Sequence, residues 1–372
     1  MKIPASAPGP APAGAVGDFA PAGVAALTRP EHPFDTTTTA HDVAMAELRR
    51  LLALWLRHEP GARLGEDPEE LHQLRVAARR IDATLGMFKR QLPAPLVRAR
   101  KTTKAVLRSL GAARDVDVQL AELTRYCADL PEQERAAAEP LRVYLESERT
   151  RARARMVRAL DSEPTRRWLD TLMQAAAENA AMNGADPAMA IMPERVQRRF
   201  RKLRKSVSRL RSKSSMEDYH QVRRRAKQLR YATECGAGLF GKPADDLLKP
   251  LRRLQDRLGA HQDSYMAQNR LAALAGDPAS GLPPATLFLM GRLAEQHARV
   301  NAQVRETLIR SWRKVCGRRW RALRARLGQL TDTAGATSQA PADQPDPGAQ
   351  VAAADLSPIG RAPELELRPV KH

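Results

Sequence analysis

Two stretches of the chain set a histidine beside closely spaced cations. His72-Gln73-Leu74-Arg75 is followed by Arg79 and Arg80, and His220-Gln221-Val222-Arg223 by Arg224, Lys227 and Arg230. Residues of these types in a row suit the oxygens of phosphates, because a guanidinium offers a planar fork of N–H donors and an ammonium a compact charge. The two histidines lack His or carboxylate companions at metal-ligand spacing and have no nucleophile motif nearby. Two uses stay open for them: hydrogen bonding to phosphate as neutral imidazoles, whose protonation nearby arginines oppose, or packing at a helix crossing. Asp115, Asp117 and Asp263 each lie shortly after a Leu-Gly step. They could pair for acid–base work, but a structural role is expected, either capping a helix start, stabilising it by about 1 kcal/mol, or orienting arginines. No Walker loop, nucleophile elbow or carboxylate metal cluster appears. The expectation is a binding protein with no catalytic residues, no metal and no cofactor.

Charge points to the partner. Sixty-two Lys and Arg against 42 Asp and Glu leave the 372-residue chain at +20, a self-repulsion suited to a polyanionic partner such as nucleic acid, an anionic membrane or a phosphate polymer. From Glu194 to Arg230, fifteen cations face three carboxylates. Like charges at i,i+3 and i,i+4 cost an isolated helix roughly 0.2–0.5 kcal/mol per pair, and a merely solvated face would mix signs. Aromatics are only 4%, which disfavours the stacking platforms of single-strand binders and leaves backbone-only duplex binding as the alternative.

Helices must position these residues. The Leu-, Ala-, Arg- and Glu-rich middle of the chain has helical period, is punctuated by Pro and Gly near residues 60, 92, 131, 193, 243 and 283, and predicts about ten helices and no sheet. In steps of about 100°, His72, Arg75 and Arg79 share one face and Leu74, Ile81, Leu85 and Phe88 the opposite one. His220, Arg223, Lys227 and Arg230 line one edge of the second such helix, with Val222 and Leu229 opposite. The flanks, residues 1–39 and 329–372, are rich in Pro, Ala, Gly and Thr and read as disordered tails. No secretory signal is supported, no apolar run reaches 18 residues, and Cys127, Cys235 and Cys316 suggest neither a disulfide framework nor a zinc site. The protein reads as cytoplasmic, with no membrane contact.

The two histidine motifs lie 148 residues apart, and so do Leu110-Gly111-Ala112-Ala113-Arg114-Asp115 and Leu258-Gly259-Ala260-His261-Gln262-Asp263. Two matches at one offset indicate an internally duplicated unit. The first copy is placed at about 40–182 and the second at about 190–328, joined through Asn183-Gly184-Ala185-Asp186-Pro187.

The stretches 72–80 and 110–118, with 220–231 and 254–263, resemble the CHAD domain, the histidine-signature α-helical domain, over about residues 40–328. That resemblance implies an all-α fold of two pseudo-symmetric helical-bundle repeats around a basic central cavity that binds inorganic polyphosphate, and association with polyphosphate granules. Carried over by position, the phosphate contacts are His72, Arg75, Arg79 and Arg80, then His220, Arg223, Arg224, Lys227 and Arg230. Face and spacing add Lys101, Lys104, Arg108, Arg252, Arg253 and Arg257. Arg114 belongs to the same set, although Gln262 replaces it in the second copy. The segment Glu364-Leu365-Glu366-Leu367-Arg368 faintly echoes the ExExK strand of the triphosphate-tunnel enzymes to which many relatives are fused. It has Arg for Lys and no β segments around it, so a stand-alone binding domain is expected.

Overall fold

The computed structural model describes residues 34, 35, 37–178, 186–211 and 213–339. The expected N-terminal tail up to residue 33, most of the expected linker, and the segment at 364–368 lie outside them. In the first half run α1 (Ala40–Leu64), α2 (Pro68–Met87), α3 (Ala94–Ala128), α4 (Glu132–Asp161) and α5 (Glu163–Ala177). The second half holds α6 (Ala188–Ser208), α7 (Met216–Cys235), the single-turn α8 (Ala237–Phe240), α9 (Lys242–Ala275), α10 (Pro284–Cys316) and α11 (Arg318–Gln339). Among the described residues there is no strand, only an isolated antiparallel bridge between Thr39 and Pro187. The fold is all-α.

Local chemistry explains the helix starts. Thr39 and Ser215 form capping boxes with Asp42 and Asp218, each satisfying two orphan N–H groups. Asp67 caps α2 by accepting from the Glu69 N–H at 2.8 Å. Gly65 ends α1 at φ 86°, the left-handed region that favours glycine. Two expected breaks do not occur: Pro60 lies inside α1 and Pro193 inside α6. A proline costs a helix interior about 3 kcal/mol, and here the burial of Trp55 and Ala62, and of Met192 and Val196, holds the helix on course.

The 148-residue shift is visible in the elements. Moved by that distance, the first and last residues of α2 fall on those of α7, and the first residue of α3 on that of α9. Ala40 N–H donates to the Asp186 carbonyl at 2.9 Å, and Ala188 N–H to the Thr38 carbonyl at 2.9 Å. Those two bonds exchange with each other under the same shift, so the first helix of each half starts against the other.

One apolar core runs through both halves, from Ala40 and Leu48 through Ile81 and Leu110 to Phe240, Leu258 and Leu327. A smaller cluster joins Leu123, Leu141 and Leu145 to Leu289, Met290 and Leu293. Composition places a tail from residue 329, but the first part of that stretch is helical. Helix α11 continues to Gln339 and buries Leu330, an apolar position in register with Leu323 and Leu327.

Candidate functional site

Helices α2 and α7 pack against each other where the halves meet, while α3 lies on α2 and α9 on α7. Each of the pair buries its apolar stripe, Leu71, Leu74, Ala78 and Ile81 in α2 and Val222, Ala226 and Leu229 in α7. The opposite edges bring Arg75, Arg79, Arg223 and Lys227 within electrostatic reach of one another. At this crossing, cations from both histidine motifs lie near one another.

The two halves seat their first arginine alike. A Cβ at Gly111 of α3 would stand 3.5 Å from Arg75 Nη2, and a Cβ at Gly259 of α9 would stand 3.9 Å from Arg223 Nη2. At these distances an alanine methyl would make ordinary van der Waals contact, so each guanidinium lies against its helical glycine without requiring one. The Nε atoms of both arginines are buried and have no hydrogen-bond acceptor. Such orphaned donors are rare in folded proteins.

Burial, first, and then Arg79, Arg223 and Arg75 push the Lys227 ammonium down to about 6, against the weaker opposing pull of Asp263. Burial and Arg79 bring Arg75 down to about 10, with Arg223 adding to the effect and Asp115 and Asp263 opposing it. Arg223 is lowered for the same reason, burial and Arg79, against Asp263. The His72 imidazole is held below its usual range by burial, with Arg114, Arg79 and Arg75 adding to that and Glu69 opposing it. Even with Lys227 uncharged, Arg75, Arg79 and Arg223 exceed the charge that Asp115 and Asp263 supply. Asp115 is itself engaged by Arg270 Nη2 at 3.0 Å.

The remaining expected contacts divide. His220 Nδ1 lies 3.1 Å from Gln262 Oε1, and Arg114 Nη1 donates to the Pro68 carbonyl at 3.2 Å. These equivalent positions tie the long helix of each half to the preceding one. Arg80, Arg230 and Arg252 converge on Glu234: Arg80 at 2.9 Å, Arg252 at 3.1 Å and Arg230 at 3.8 Å. Arg80 and Arg230 also lie over the Tyr231 ring. Lys101, Lys104, Arg108, Arg224, Arg253 and Arg257 are exposed, and Arg224 Nε donates to Gln221 Oε1 at 3.0 Å.

Replacing Glu234 by glutamine is expected to lower thermal stability by about 1–3 kcal/mol, discounted because its arginine partners are partly solvated. It should also tighten the binding of a polyanion, since three cations lose their resident carboxylate. Melting curves and a titration of the same variant check both signs.

A cavity of about 790 Å³ adjoins the crossing, with Arg75 and Arg108 on its wall. Leu141, Tyr144, Leu271 and Leu293 line it too, and Arg155 and Arg270 share the wall with Asp115, Glu122, Glu148 and Asp277, so its lining is of mixed sign. Burial and then Asp263 raise the Glu122 carboxyl. The capping role expected for Asp115, Asp117 and Asp263 does not hold: all three sit in the middle of α3 or α9. Asp117 is buried and accepts from Arg149 Nε at 2.8 Å, so the alternative, orienting arginines, describes Asp115 and Asp117. Sequence reasoning missed Gly111 and Gly259 as seats and Glu234 as a competitor. The paired Leu-Gly steps carried a signal for the first two, and nothing in spacing marked the third. Among the described residues no cluster of His, Cys, Asp or Glu could hold a metal ion, and no helix is long and apolar enough to cross a membrane.

The family model for the CHAD domain matches residues 46–272. Two solved structures share the fold. One is PptA from Streptomyces chartreusis, 23% identical, with a TM-score of 0.60, covering 74% of this chain and 100% of that one. The other is the CHAD domain from the plant Ricinus communis, 23% identical, with a TM-score of 0.55, covering 81% of this chain and 97% of that one. Comparison with curated proteins found no significant match.

Proposed function

The chain belongs to the CHAD domain family, and from that membership and the α2–α7 crossing we propose that it binds inorganic polyphosphate between its two halves, as a binding protein rather than an enzyme. The observation that supports this most is the half-buried set Arg75, Arg79, Arg223 and Lys227, in which an ammonium is pushed down to about 6 mainly by burial and then by three arginines. Such an arrangement is unfavourable alone and becomes favourable when a thin, dense anion enters. Polyphosphate has that shape: linear, one charge per unit, no bases to stack. The orphaned Nε–H groups of Arg75 and Arg223 are donors suited to its oxygens. Arg114 lies within electrostatic reach of His72, as do Arg75 and Arg79, and Arg80, Arg230 and Arg252 gather on Glu234, so a chain longer than the crossing meets further cations. Association with polyphosphate granules is the proposed cellular consequence.

The cheapest test is a melting curve with and without long-chain polyphosphate, because a ligand of the folded state raises its apparent stability by RT ln(1 + [L]/Kd). A ligand concentration of about 100 Kd should add roughly 2.7 kcal/mol. No shift under conditions where the protein is folded would overturn the proposal.

A further inference from the structure

The cations between Arg198 and Arg209 stand apart from the crossing. On α6 the buried face is Val196, Phe200, Leu203 and Val207, and the outward face presents Arg198, Arg201, Lys202, Lys205 and Arg209, all exposed. Phe200 fixes where this face lies. Its ring stacks on Trp320 of α11 at 3.5 Å between centroids and on Trp312 of α10 at 5.6 Å, pinning α6 to the α10–α11 junction. That junction exposes Arg313, Lys314, Arg318, Arg321 and Arg324. No Asp or Glu occurs in 196–216 or 307–331, and among the described residues none of these ten cations is ion-paired. The leading charges acting on Lys227, Arg75 and Arg223 come from α2, α3, α7 and α9, not from here.

We propose that this outer face of α6 and the α10–α11 junction is a second polyanion surface, and that it docks the phosphate backbone of duplex nucleic acid independently of the crossing. The face is exposed and spread over neighbouring helices, whereas the cations of the crossing are half-buried. A flexible chain loses conformational freedom when ordered on an open surface, and a duplex presents its phosphates already arrayed. Phe200, Trp312 and Trp320 are buried and offer nothing for unpaired bases to stack on, so single strands lack their usual platform. The ten exposed side chains include no large apolar group to enter a lipid surface. Backbone contact without base readout is how duplexes are held non-specifically.

The test uses the full chain and a short fluorescein-labelled DNA duplex of mixed sequence. One variant carries Arg198→Ala, Arg201→Ala, Lys202→Ala and Lys205→Ala. A control removes four charges elsewhere, through Arg57→Ala, Lys89→Ala, Arg90→Ala and Arg98→Ala, all exposed. The first variant should flatten the slope of log affinity against log salt by about 3 to 4, near 0.9 per lost phosphate contact. The control should flatten it by less than half that, and both should keep polyphosphate affinity within about twofold, since neither touches the crossing. The duplex should stay bound when stoichiometric polyphosphate is added. Equal effects of the two variants, displacement of the duplex by stoichiometric polyphosphate, or tighter binding to anionic phospholipid vesicles or to a single strand than to the duplex would each overturn the proposal. Because the readout is duplex DNA, failure here leaves polyphosphate binding at the crossing standing, and the converse also holds.

Discussion

Arg223→Ala combined with Lys227→Ala should weaken polyphosphate binding by on the order of 100- to 10,000-fold, because each removes a charge-assisted hydrogen bond of roughly 1.5–3 kcal/mol and about 1.4 kcal/mol is tenfold. The double variant should also flatten the salt dependence by about 1.4, near 0.7 per lost contact on a single strand. Folding should survive. Both side chains lie on the edge of α7 away from the buried Val222, Ala226 and Leu229; removing Arg223 relieves its burial and its repulsion from Arg79, and removing Lys227 relieves the burial of an amine held largely uncharged at neutral pH. The variant should therefore melt at or above the parent temperature without ligand and gain little when polyphosphate is added. Loss of affinity with unchanged salt slope would instead mean that the residues shape the site without touching phosphate.

Binding should take up about one proton at neutral pH, from the linkage between Lys227 and the ligand. In the free protein Lys227 titrates near 6, so at neutral pH it is mostly uncharged. A polyphosphate chain beside it favours the ammonium and raises that value. The sign follows. Affinity is highest below about 6, where the lysine is charged in both states, and falls as pH rises through the window above it, by at most tenfold per unit. The groups facing Lys227 are Arg75 and Arg79 from α2, Arg223 on its own helix and Asp263 from α9. The half-buried His72 adds in the same direction at the lower end. Stability of the unliganded protein runs oppositely. The unfolded lysine binds a proton that the folded one releases, so stability rises with pH between about 6 and the ordinary lysine range. Titration calorimetry in two buffers of different ionisation enthalpy measures the proton count directly. Lys227→Met should bring it close to zero.

Much of the fold was legible in the residues, for identifiable reasons. Helical period is a local property, and the segments around His72 and His220 state it without ambiguity. The 148-residue offset needed only two short matches, and α2, α3, α7 and α9 begin where that offset requires. The prolines misled because a proline's local cost says nothing of the burial that offsets it, as Trp55 and Met192 do around Pro60 and Pro193. Of the expected contacts, those on the first helix of each pair, Arg75, Arg79, Arg223 and Lys227, come together, since a face is computable from spacing. Arg80, Arg230 and Arg252 were equally plausible by spacing, yet their partner Glu234 is reached across helices, and pairing across helices has no sequence signature. The same limit hid the division of the basic row. Arg198 to Arg209 and Arg223 to Lys227 are neighbours in sequence, but only the second group faces the other half.

The central claim is that cations from the two halves hold one polyanion at the α2–α7 crossing. Its most direct test is a crystal structure of the protein with short-chain polyphosphate bound. Phosphate oxygens should lie within hydrogen-bond distance of Arg75 and Arg79 on one side and of Arg223 and Lys227 on the other, with the Nε–H groups of Arg75 and Arg223 engaged. A chain found only along the outer face of α6, with the crossing empty, would contradict it.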